Sequence, residues 1–156
     1  MRGRSQSSPG TAILSIKPKA IPARILVPVT GSEVSRRAAE VAIAIAGACE
    51  RPITALYVST PGADDRRSRG GFRARRQEQA IMKEIVEIAD RYDVTASTEI
   101  RADLAPRDAI LTEAKKRGHD LIVMGVSRRS GDKLFFGDTA AAVLEKSPGS
   151  IMFVAS

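Results

Sequence analysis

From Ala23 onward, short apolar runs alternate with longer stretches in which apolar residues recur every three or four positions. The short runs, 24–29, 53–58, 95–100, 121–125 and 150–154, carry the Ile, Val and Leu content of β-strands. The longer stretches between them predict helices over 35–49, 73–92, 106–117 and 138–146. In the second of these, Ile81, Ile85, Ile88 and Tyr92 fall at steps of four, three and four, so one helix face is predicted to lie on a sheet. Pro106 suits a first helical turn, and Gly118 suits a helix end. The run Leu121-Ile-Val-Met-Gly125 is almost wholly apolar, as a central parallel strand covered on both faces requires.

Strand–helix alternation of this kind predicts an α/β fold: a single open five-stranded parallel sheet, strand order 3-2-1-4-5, with helices on both faces. That order puts a topological switch between strands 1 and 4. Ligands of such sheets bind in the crevice at the carboxyl ends of the strands, so the segments 29–34 and 125–137 are where a site is expected. Residues 1–22 are rich in Ser, Pro, Gly and Lys and show no sustained period, and are expected to be a flexible linker or tail ahead of a domain over 23–156.

Composition narrows the function classes. The chain has 156 residues, 43% hydrophobic and 28% charged, with no apolar run approaching the roughly 18 to 20 residues that span a bilayer. No secretory signal is read at its start, so a cytoplasmic location is expected. The single cysteine, Cys49, forms no internal disulfide and reads as a small core residue. With His119 the only histidine, neither a transition-metal site nor a histidine-based nucleophile is expected; His119 reads as a loop residue just before a strand.

The net charge of +7 points to an acidic partner. Much of it is concentrated in Arg66, Arg67, Arg69, Arg73, Arg75 and Arg76, which surround Gly70 and Gly71 in a stretch read as a loop and helix start. One reading of this run is a solvated charged loop; the other is docking to an anionic membrane surface or an acidic protein face. Nucleic acid is disfavoured, because Phe72 is its only aromatic and aromatics make up 4% of the chain.

Taken in order, Ile25-Leu-Val-Pro-Val-Thr-Gly-Ser-Glu33, Asp120-Leu-Ile-Val-Met-Gly125, and Gly137 with its following helix, Pro148 and Ile151-Met-Phe-Val154 resemble the universal stress protein family. The resemblance covers nearly all of 24–154. It implies a Rossmann-like fold of the adenine nucleotide alpha-hydrolase type. More narrowly, 124–139 and 35–41 are similar to the soluble C-terminal domains of bacterial cation/proton antiporters. This implies a regulatory module acting on a membrane transporter, at the inner face of the membrane if joined to one.

Nucleotide-binding members of the family carry Gly, two residues, Gly, nine residues, Gly, then Ser or Thr. By resemblance, the site residues implied here are Val29, Thr30, Val58, Met124, Gly125, Arg128, Arg129, Gly131, Gly137, Asp138 and Thr139. The implied ligand is an adenine nucleotide, ATP or AMP, with magnesium only alongside ATP. Several positions depart from the pattern. Arg128 stands at the second glycine, the following interval is one residue short, Asp138 replaces the hydroxyl, and Thr30 replaces the aspartate that usually ends strand 1. Asp138 would repel phosphate and is read instead as a helix N-cap, whereas Arg128, Arg129 and Lys133 offer compensating charge. Three readings stay open: nucleotide sensing, a ligand-free loop for protein contacts, and slow ATP hydrolysis. Family pairing through the last strand implies a homodimer along Ile151, Met152, Phe153 and Val154.

Overall fold

The computed structural model describes residues 22–59, 69–102, 104–129, 133–135 and 137–155. Residues 1–21 of the linker expected over 1–22, together with Arg66, Arg67 and Gly131, lie outside them. The elements run β1 (Ile25–Val29), α1 (Glu33–Cys49), β2 (Ile53–Val58), α2 (Arg69–Arg91), β3 (Ala96–Arg101), α3 (Pro106–Arg117), β4 (Leu121–Arg129), β5 (Lys133–Phe135), α4 (Asp138–Lys146) and β6 (Ser150–Ala155). Five strands pair in parallel in the order β3-β2-β1-β4-β6, the order expected from the alternation of elements.

Alternation along the central strands builds two cores. Ile25, Val27 and Val29 of β1 and Val123 of β4 face α1 and α2, joining Ala38, Ala42, Ile43, Ile85 and Ile88. Leu26, Ile122 and Met124 face the opposite way, against Ile110 and Ala114 of α3 and Ala140 and Val143 of α4. Each fully buried Ile, Leu or Val contributes about 1.5–3 kcal/mol of transfer free energy. The small residues on the inner face of α1, Ala38, Ala39, Ala42 and Ala46, let its backbone ride close to the sheet. Closeness is greatest where α1 begins. A Cβ built on Gly125 of β4 would sit 2.6 Å from Val34 Cγ1 and 2.7 Å from its carbonyl carbon.

Four expectations need correction. The segment 125–137 is not simply a loop: β4 runs on to Arg129 and β5 returns antiparallel, pairing Ser127 with Phe135 and Arg129 with Lys133. The Leu and Phe content of β5 favours a strand, and only three residues separate the two. The second helix starts at Arg69 rather than at residue 73. Tyr92 is 55% exposed instead of completing the inner face of α2, because the helix stops at Arg91 and Asp93, at φ +54°, turns the chain out of register. His119 is, as expected, a residue of the connection just before β4, and it is buried there. Cys49 is a free thiol and only half-buried at the end of α1.

Candidate functional site

The loop between β1 and α1 is tied by its own hydroxyls. Ser32 caps α1, its Oγ accepting from the Ser35 amide at 3.2 Å, and Ser35 Oγ accepts from the Thr30 amide at 3.1 Å. Thr30 Oγ1 donates to Ser32 Oγ at 2.9 Å. Gly31, at φ +82°, turns the chain between them, with Ile81 of α2 packed directly behind it.

Opposite this loop, across the ends of β1 and β4, lies a cleft of about 330 Å³. Its floor is apolar, formed by Val29, Leu56, Val58, Ile110 and Met124; its rim carries the hydroxyls of Thr30, Ser32, Ser35, Ser127 and Thr139. Gly137 is the N-cap of α4 and makes no side-chain cap hydrogen bond, so the amides opening that helix are left without a side-chain partner from their cap.

Among the residues read from the sequence, the structure brings Val29, Thr30, Val58, Met124, Gly125, Gly137 and Thr139 to this cleft. Asp138 is not in its lining; it is the exposed first residue of α4, where its carboxylate complements the helix dipole. The N-cap expected at Asp138 is therefore Gly137, one residue earlier. Arg128 and Arg129 lie on the extension of β4, in the hairpin with β5. Gly125 sits within β4 rather than in a loop, and its lack of a side chain admits Val34.

Sequence reasoning missed Pro28, Ser35, Leu56, Pro106, Ile110 and Ala140, and named Ser127 only as part of the segment 125–137. The apolar ones were legible as core residues, but nothing in their spacing marked them as standing at a cleft. Ser127 follows from extending β4 two residues beyond its apolar run.

Below the cleft, a second polar group holds the sheet to α3. His119 Nδ1 lies 3.3 Å from the Glu113 carbonyl oxygen, which only accepts, so Nδ1–H donates and Nε2 accepts from Thr54 Oγ1 at 3.0 Å. Burial lowers the imidazole pKa against the opposing pull of Glu113, and Arg117 and Arg24 add to the lowering. The Glu113 carboxylate, 1% exposed, receives Arg101 at 3.0 Å on Oε2. Its Oε1 lies 3.0 Å from Arg117 Nε without the alignment of a hydrogen bond. On α2, buried Glu78 accepts from Ser59 at the end of β2, and burial together with Glu78 raises the Tyr57 pKa.

A family model described as the universal stress protein family matches residues 23–155. The chain belongs to the universal stress protein family. It is 27% identical over 138 residues to a universal stress protein of Methanocaldococcus jannaschii, covering 84% of this chain and 81% of that one. Among solved structures, a universal stress protein in complex with cAMP superposes with a TM-score of 0.68 at 23% identity, covering 86% of this chain and 98% of that one. The universal stress protein from Archaeoglobus fulgidus in complex with dAMP gives 0.67 at 18% identity, covering 85% and 98%. At these identities the structural likeness establishes the fold.

Proposed function

We propose that this universal stress protein domain is a regulatory binding module whose cleft between β1 and β4 takes an adenine nucleotide. The observation that carries this reading is the cleft itself, an apolar floor under a rim of hydroxyls at the switch point of the sheet. Its volume falls within the range of small-molecule sites. A purine would lie on Val29, Val58 and Met124, the ribose would meet Thr30 and Ser127, and a phosphate would face the opening amides of α4. The two structural neighbours that hold cAMP and dAMP support an adenine monophosphate as ligand.

The cleft favours low ligand charge. Among the described residues, no side chain lining it is ionisable, and the nearby Asp138 carboxylate repels a polyphosphate. AMP and cyclic AMP therefore bind at least as tightly as ATP, and magnesium has a role only if ATP binds.

Calorimetric titration with AMP, cAMP, ADP and ATP tests the reading. Saturable binding is expected, weakened more than tenfold by Thr139→Glu, which sets a carboxylate at the α4 amides, and by Val58→Trp, which fills the floor. Absence of heat with every nucleotide at millimolar concentration would overturn it. In this reading the module is a homodimer paired along β6, and the antiporter-like segments 35–41 and 124–139 support a transporter as the regulated partner.

A further inference from the structure

The N-terminal turns of α2 belong to neither core nor cleft. Ile81 packs behind Gly31, and Glu78 accepts from Ser59 at the end of β2, so these two residues mark where α2 passes the carboxyl edge of the sheet. The helix begins at Arg69, nine residues before Glu78, which at 1.5 Å per residue carries it about 13 Å further. Of this extension, Gly70, Phe72, Arg73, Arg76 and Gln77 are exposed. Phe72 is 58% exposed, and the Arg76 guanidinium sits 5.9 Å from its ring centroid, one helical turn on.

The charge there runs against the helix. α1, α3 and α4 each carry an acidic residue in the first turn, Glu33, Asp108 and Asp138, which complements the positive end of the dipole. α2 carries none, and its first carboxylate is Glu78; arginines stand there instead. Folding stability alone disfavours this arrangement. An anion brought to the surface would reverse the penalty.

We propose that Phe72, Arg73 and Arg76 form a docking surface for an anionic phospholipid bilayer. The exposed surface sets the Phe72 ring under the Arg76 guanidinium, with exposed Arg73 next to it in the helix. The ring suits the boundary between headgroup and acyl chain, and each guanidinium suits bidentate pairing with lipid phosphate. A bilayer also fits the shape of the site, since it needs no groove, and the cleft between β1 and β4 is not lined by residues 70–76. Three side chains give weak, salt-sensitive attachment, at about 1 kcal/mol per basic residue near an anionic surface.

The test is cosedimentation of the full chain with vesicles of phosphatidylcholine alone or with 30% phosphatidylserine, at low and at high salt. Binding is expected to the anionic vesicles only and to be lost in high salt. Arg73→Glu/Arg76→Glu reduces it at least tenfold, and Phe72→Ser reduces it severalfold while the charge is unchanged. Circular dichroism confirms that each variant is folded. Equal binding to neutral vesicles, no binding at low salt, or variants that bind like the wild type would overturn the proposal. So would polyglutamate peptide that binds at lower concentration than the vesicles and displaces them, which would assign the surface to an acidic protein.

Discussion

Two glycines of this chain are required for different reasons, and the difference is measurable. At Gly125 the obstacle is space: a methyl group meets the Val34 backbone, which is fixed by the Ser32 cap two residues earlier. Gly125→Ala is expected to cost about 2–3 kcal/mol of unfolding free energy, in the range of overpacking. At Gly118 nothing lies within 4 Å, but φ is +63°, so Gly118→Ala costs about 1 kcal/mol through backbone conformation alone. Urea denaturation of both variants checks the order. His119 adds a pH dependence. Its folded pKa lies below the ordinary value of about 6.5, so the unfolded chain binds the proton more readily. The contribution of the neutral imidazole is complete above the unfolded value and is lost as pH falls from there toward the folded one. Unfolding free energy measured between pH 8 and pH 5 should fall across that window in the wild type, and His119→Gln should flatten this part of the slope.

At the scale of elements, α3 is held to the edge of the sheet by charge as well as by apolar contact. Glu113 is buried between Arg101, where β3 ends, and Arg117, while Arg117 also pairs with the half-buried Glu99. Removing the buried carboxylate leaves two guanidiniums without their shared counter-charge. Glu113→Ala is expected to cost about 3 kcal/mol, against less than about 1 kcal/mol for Glu99→Ala. Equal costs in thermal or urea unfolding would contradict that assignment. This network was invisible in the sequence, because Glu113 sits among charged neighbours on a helix whose apolar periodicity is weak. The strands and helices, by contrast, were legible wherever a core enforced a period, as with Leu121 to Met124 or the Ile81–Ile85–Ile88 face. Legibility failed where local chemistry governed: Asp93 turning Tyr92 outward, Gly137 preceding Asp138 as the cap, and the hairpin that carries β4 past Gly125. The cleft followed from strand order, but its hydroxyl rim depended on the Thr30–Ser32–Ser35 bonds that only geometry supplies.

For the whole molecule, the open question of architecture is what covers the outer edge of β6. Ser150 donates its amide to the Asp120 carbonyl at 2.9 Å, so by the alternation of a strand the amides of Ile151 and Ala155 point away from β4. The edge is apolar. Ile151, Phe153 and Val154 are half-buried, and Met152 is 36% exposed in the single chain. Soluble sheets rarely leave such a strand bare; they blunt it with charge or pair it with another. β6 carries no charged residue from Ser150 to Ala155, which favours the pairing between two copies proposed above. In sedimentation equilibrium the wild type is expected at twice the chain mass at micromolar concentration. Met152→Lys places an ammonium at the edge and should shift the equilibrium to monomer, while circular dichroism remains that of the wild type. A wild type that stays monomeric at hundreds of micromolar would refute the pairing. The cleft lies on the far side of β4 from this edge, so the monomeric variant should retain its nucleotide affinity, separating the two proposals in one preparation.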